Sequence, residues 1–347
     1  MSEQAIAITS VGMVTGVGLN APASCAAIRS AIDNVQETRF MDNEGEWLMA
    51  SEVPLAEPLR GRSKLIKIAA LAVAECLADN SGVDSSEIPM FLCLSEQDRA
   101  GRVIDDNNQF FLDLQTELEL EFHEESRVIA MGHVATAIAL KHARELIAEL
   151  KLPHALIVAS DSFLTAASLA HYEKYARLLT SYHSNGFIPG EAGAAILVSP
   201  VTQAKQLVCT GLGFAIEKAT VDSEEPLRAE GLTSAIKMAL EDAKCTEAEL
   251  DFRVTDLSGE QYYFKEASLA VGRIIRVRKE EFELWHPADC VGDVGAALAL
   301  VMLIYLAAAC ENGYSEGNTI LAHTANDDGK RAALILSWGL AGVDHGK

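Results

Sequence analysis

Four short stretches of this chain carry residues whose types and spacing suit chemistry. GVGLNA (16–21) fits G-x-G-x-x-A between a strand and a helix, the pattern in which backbone N–H groups cradle a pyrophosphate. That pattern requires a second strand ending in an acidic residue about 20 residues on. Here the chain instead runs into the polar DNVQETRFMDNEGEW, so a glycine turn is the plainer reading. ASDSF places Ser162 after a strand, where a hydrolase nucleophile stands, but lacks the flanking glycines of G-x-S-x-G. His286 and Cys290 are spaced to approach one metal ion from a helical turn. Pro287 lies between them and no further ligand clusters nearby, so no metal is expected. GFIPGEAGAAILVSP (186–200) runs a glycine-lined turn into an apolar strand and sets Glu191 among small residues at the strand's start. A glutamate there either braces the loop by accepting hydrogen bonds or serves a site.

The elements that must position these residues alternate between short strands and longer helices, which predicts an α/β layered fold. Strands are expected at 5–14, 90–95, 154–160, 206–215 and 251–259, with a last pair in NTILAHTA and RAALILSWG. Helices are expected at 23–32, 63–80, 133–150, 231–243 and 264–272, and the apolar run from Val294 to Cys310 reads as a helix at 292–310 buried in protein rather than a membrane span. Residues 101–128, rich in Asp, Glu and Gln, read as a solvated, helical insertion. After Pro200 the chain begins again: QLVCTGLGFA echoes AIAITSVGMV, which predicts two similar halves, 1–200 and 201–347.

With 50 acidic against 28 basic residues, the net charge of −22 repels nucleic-acid phosphates and anionic lipid headgroups. Neither nucleic acid nor membrane is an expected partner. Seven scattered cysteines without a C-x-x-C pair favour reduced thiols, and MSEQAIAITSVGMV has no secretory pattern, so a cytoplasmic protein is expected.

The block YARLLTSYHSNGFIPGEAGAAILVSP (175–200) resembles the passage of β-ketoacyl synthases, in the thiolase-like superfamily, that reads R-x-L-T, a polar stretch, G-F-x-P-G-E-G-A and an apolar strand. ITSVGMVTGVGLNAPASCAAIRSAI is similar to the family's opening strand and helix. ARELIAELKLPHALIVASDSFL resembles the helix and strand after its nucleophile, and DCVGDVGAALALVM its late helix. The resemblance spans nearly the whole chain. It implies a layered αβαβα fold of two pseudo-equivalent halves, with Phe187 walling the acyl pocket and Glu191 held beside it.

The family's chemistry needs an acylated cysteine at a helix N-terminus, oxyanion donors, and two histidines or a histidine and an asparagine. Carried over residue by residue, the nucleophile position holds His133, read here as a neutral imidazole because a helix N-terminus disfavours its protonation. The first histidine position falls at Asp256 or Leu257 in VTDLSGEQ. The second falls at Asp289, with His286 nearby in an alternative register. The last loop, HTANDDGK, brings Asn326 and keeps Gly329. The candidate site residues are therefore His133, Asp256, Asp289 and Asn326, with Phe187, Glu191, Gly329 and His286 around the pocket.

The expected function is that of a non-condensing homologue, a partner subunit or a protein that binds an acyl chain or acyl carrier. It would form a homodimer, or a heterodimer with a synthase, and would need no cofactor. The alternatives are an acyltransferase or malonyl-thioester decarboxylase working through His133 and Asp289, and a scaffold.

Overall fold

The computed structural model describes residues 5–78 and 84–339. The start MSEQ, the last two residues of the expected 63–80 helix and the segment 340–347 lie outside the described residues.

The first part of the chain contributes β1 (Ile6–Val14), α1 (Ala21–Arg29), β2 (Val35–Met41), β3 (Trp47–Ser51), α2 (Gly61–Ala78), β4 (Met90–Leu94), α3 (Asn107–Leu118), β5 (Arg127–Ala130), α4 (Ala135–Leu150), β6 (Ala155–Ser162), α5 (Ala166–Lys174) and β7 (Glu191–Pro200). The second contributes β8 (Gln206–Ile216), α6 (Glu230–Ala243), β9 (Phe252–Thr255), α7 (Gln261–Ile274), β10 (Leu284–Trp285), α8 (Ala288–Val291), α9 (Leu298–Glu311), β11 (Thr319–Ala325) and β12 (Lys330–Gly339).

Ten strands run in the order β10-β9-β11-β12-β8-β1-β7-β6-β4-β5. From the centre outward the two sets are built alike. β1 and β8 each pair antiparallel with the last strand of their set, β7 and β12; these pair antiparallel with β6 and β11, and two parallel strands complete each edge. The sets meet where β1 pairs with β8 through Ile6, Ala7 and Ile8.

Helices α4 and α9 lie between the two sets, against Phe91, Ile157 and Ile196 on one side and Phe252, Ile320 and Leu334 on the other. α9 is apolar on every face and buried along most of its length, as a helix enclosed by protein must be. α2 and α3 cover the outside of the first set, α6 and α7 the outside of the second. The result is five layers, αβαβα. Strands β4, β6 and β7, covered on both faces, are near-continuous in small and apolar residues rather than alternating.

Two expectations are corrected here. The stretch 101–128 is not a solvated helix throughout: Phe110 and Leu114 of α3 are fully buried against α2, and by 127 the chain has entered β5. Two apolar anchors on one helical face suffice to dock a segment that is otherwise acidic. The buried helix at 292–310 is also interrupted. Gly292 and Gly295 adopt left-handed φ of 72° and 55°, and α9 begins only at Leu298. GVGLNA forms a turn closed by backbone bonds between Thr15 and Gly18, and a Cβ on Gly18 would stand 2.4 Å from the Ser24 nitrogen. The tightness of that turn accounts for the glycine there.

Candidate active site

The N-termini of the two central helices converge on one buried cavity of about 30 Å³, room for roughly two water molecules. α4 enters it through a tight turn in which Gly132 has φ 56° and a Cβ would fall 1.9 Å from Glu96 Oε1. Glycine takes this conformation without strain, and the turn carries His133 to the helix tip. No side chain of the helix itself caps α4. Asn326, from the β11–β12 hairpin, does so from across the molecule: Val134 N donates to its Oδ1 at 3.2 Å while its Nδ2 donates to Met131 O at 2.8 Å. It thus grips the His133 turn on both sides.

The α9 entrance is capped by carboxylates. Gly295 N donates to Asp293 Oδ1 and Ala296 N to Asp161 Oδ2, each at 2.9 Å. These caps also place negative charge where the helix dipole is positive.

Between the two entrances stands His133, its side chain 13% exposed, with Nδ1 3.2 Å from Asp256 Oδ2 and Nε2 3.3 Å from Asp293 Oδ1. The Nδ1 contact is off-axis for a hydrogen bond, so its attraction is mainly that of charge. Both carboxylates are tied elsewhere: Ala325 N donates to Asp256 at 2.8 Å and Ser258 Oγ to Asp293 at 3.0 Å. Burial opposes charge on the imidazole, yet Asp293 and Asp256 hold its pKa well above the ordinary histidine value. Asp293 is likewise desolvated, and His133 beside it keeps its carboxyl below the usual range. The direction of that shift favours an imidazolium over the neutral imidazole expected at this position. Two aspartates outweigh one helix dipole.

The walls are filled by the protein's own cations. Arg99 donates to Asp161 through both terminal nitrogens, Nη1 at 2.7 Å, and lies over the Phe163 ring at 4.4 Å. Arg177 makes two bidentate pairs, to Glu260 at 2.7 and 2.8 Å and to Asp327 at 2.7 and 2.9 Å, and lies over Tyr172. Tyr263 donates to the same Asp327. Phe163, Tyr172 and Phe187 pack edge-on or tilted against one another, with ring centroids 5.1–5.4 Å apart, behind the two guanidiniums. Three cationic side chains thus meet six carboxylates, and burial raises two of these, Glu96 and Glu260, above the usual carboxylate range.

No protein-family model matches the sequence, and no curated protein does. Solved structures match at low identity. One is AntDE:AntF, a type II PKS acyl-carrier protein in complex with its ketosynthase bound to the hexaketide (TM-score 0.78, 14% identity, covering 96% of this chain and 98% of that one). Another is the ishigamide ketosynthase/chain length factor (0.79, 15%, 96% and 98%). A third is a β-ketoacyl synthase from Burkholderia phymatum STM815 (0.75, 16%, 97% and 100%). The chain has the thiolase-like fold.

Within that fold the structure brings together His133, Asp256 and Asn326, and places Phe187 in the cavity wall. It does not bring in Asp289. That residue lies on the single turn α8, with its side chain 65% exposed and 2.9 Å from His286 Nδ1. The left-handed Gly292 then reverses the chain, so that Asp293, four residues on, takes the place beside His133.

His286 packs edge-on against Phe264 and lines no part of the cavity. Gly329 turns the β11–β12 hairpin with φ 89°, its carbonyl accepting from Glu217 N, also outside the cavity. Leu257 is buried in the outer core. Glu191 is internal but faces away from His133, where Lys64 Nζ at 2.5 Å, Val53 N at 2.9 Å and Ser162 Oγ at 3.0 Å surround its carboxylate. It braces the loop. Ser162 is its partner and makes no contact with an imidazole.

The residues that sequence reasoning passed over are Asp293, Arg177, Glu96, Arg99, Asp161, Glu260, Tyr263 and Asp327. One signal was present: Asp161 is a lone acid in the buried strand ALIVASDS, and such a residue demands a cation. All seven thiols are unpaired, and burial raises each: Cys25, Cys76, Cys93 and Cys209 to about 12, Cys245 and Cys290 to about 11, and Cys310 likewise upward. Such thiols are poor nucleophiles at neutral pH. Among the described residues no helix is long and apolar enough to cross a membrane, and no group of three or more His, Cys, Asp or Glu is placed to hold a metal ion.

Proposed function

We propose that the chain is a non-condensing ketosynthase-like subunit that pairs with a condensing synthase, as chain length factors do. The observation that carries this reading is the imidazole at the α4 tip, clamped between Asp256 and Asp293 in a cavity of about 30 Å³. An imidazolium has no lone pair with which to attack a thioester. Both guanidiniums are bonded to carboxylates rather than free for an oxyanion. Nothing the size of an acyl-thioester enters such a space. Residues 1–200 and 201–347 are on this reading its two halves, supported by the repeated strand order.

The reading also draws support from what the fold's neighbours are. They include ketosynthases with a chain length factor or an acyl-carrier protein, among them ApeO in complex with its chain length factor ApeC from Xenorhabdus doucetiae. On this reading the partner is a synthase and its acyl carrier, the assembly is a heterodimer, and the place of action is the cytoplasm.

The test has two arms. The purified chain, given malonyl and acyl thioesters of a carrier protein, is expected to yield no 3-oxoacyl product. A ketosynthase from the same organism is expected to bind it and to change product length in its presence. Condensation by the chain alone overturns the reading. Release of acetyl thioester from malonyl thioester replaces it with the decarboxylase reading, and an unchanged product with no association leaves a scaffold.

A further inference from the structure

A second cavity stands apart from the His133 site. The β2–β3 hairpin and the segment 52–60 enclose an open groove of about 390 Å³, in the range of small-molecule sites. Pro54, Leu55 and Leu59 give it an apolar strip. A narrow inner chamber of about 20 Å³ continues it to Ser162 and Glu191. Arg39 and Arg60 line both spaces and so stand at the neck between them. Among the described residues neither has an ion-pair partner, and both are exposed.

The adjoining groove, of about 420 Å³, differs in this respect. There Arg62 pairs with Asp113 and Lys67 with Glu117. Three acids line the same groove, and none is bonded to either arginine: Glu52 is bonded to Lys64 at 2.9 Å, Glu57 acts on Lys67, and Glu37 makes no ion pair among the described residues. Arg39, which lies over the Phe40 ring at 4.6 Å, and Arg60 thus stand at one neck without a carboxylate bonded to either.

We infer that this groove binds an amphipathic organic anion, a phosphate monoester or carboxylate with an apolar tail, its charged end held between Arg39 and Arg60 and its tail on Pro54, Leu55 and Leu59. Guanidinium forks suit two- or three-oxygen anions. The site is separate from the His133 cavity and stands whether or not the partner-subunit reading holds.

Isothermal titration of the full chain with hexyl phosphate, inorganic phosphate and hexanol tests it. Hexyl phosphate is expected to bind, inorganic phosphate more weakly and hexanol not measurably. Arg39→Gln and Arg60→Gln are each expected to weaken hexyl phosphate about tenfold, with unchanged melting temperature. His133→Gln is expected to leave binding unaltered, which separates this site from the other. No binding of hexyl phosphate, equal binding of all three probes, or an undiminished affinity in the Arg39→Gln/Arg60→Gln double variant overturns the inference.

Discussion

The His133 cavity and the Arg39/Arg60 groove are both rich in charge, and they differ in how it is compensated. In the cavity every cation is bonded to a carboxylate of the same molecule: Arg99 to Asp161, Arg177 to Glu260 and Asp327, His133 between Asp256 and Asp293. In the groove two guanidiniums have no ion-pair partner among the described residues. Charges that are buried and mutually satisfied hold elements in place, whereas charges left exposed and uncompensated are free for a ligand. A third region completes the contrast. His323 in β11 is 1% exposed, neither ring nitrogen has a hydrogen-bond partner, and burial lowers its pKa to about 4. Buried without a partner, it stays neutral.

The comparison can be broken most sharply at Arg177, which joins the polypeptide before β7 to the loops after β9 and β11. Arg177→Ala strands Glu260 and Asp327 without a counter-charge, and a loss of about 4 kcal/mol is expected in denaturant unfolding. A loss under about 1 kcal/mol would mean that these pairs are not holding the fold.

His323 tests the neutral case. Its folded value is depressed, so the unfolded chain binds the extra proton first. Stability is therefore present above about pH 6.5 and lost as pH falls toward 4, by on the order of 3 kcal/mol. His323→Leu should flatten that acid limb.

His133 has the opposite sign, because its folded value is raised. Its contribution is fully present below about pH 6.5 and is lost as pH rises through the folded value. His133→Gln is accordingly expected to cost about 2 kcal/mol at neutral pH and progressively less in alkali. A thiol placed at the same tip by His133→Cys would face Asp256 and Asp293, whose charge raises a thiol's pKa. Slow alkylation and no condensation are expected. The smallest effect belongs to the groove: Arg39→Gln and Arg60→Gln should change stability by less than about 0.5 kcal/mol.

Much of this was legible in the amino-acid string. The GFIPGEAGAAILVSP block and the alternating strands and helices lead to the layered fold, and the same alignment carries His133 to a helix tip, with Asp256 and Asn326 close by. What the string concealed has physical causes. Asp289 and Asp293 sit four residues apart, and only the left-handed turn at Gly292 decides which one faces inward. Glu96 and Arg99 belong to SEQDRA, a polar loop indistinguishable by composition from a solvated one. The protonation of His133 depends on two carboxylates more than a hundred residues away in sequence, whereas the helix dipole, a local effect, pointed the other way.

The central claim is that the side chain at the α4 tip is a clamped cation and not a nucleophile. The ¹⁵N shifts of the His133 imidazole in histidine-labelled protein, followed up to about pH 8, test it directly, since an unperturbed histidine is neutral there. Both ring nitrogens protonated is the predicted result, and a neutral imidazole with one bare nitrogen would contradict it.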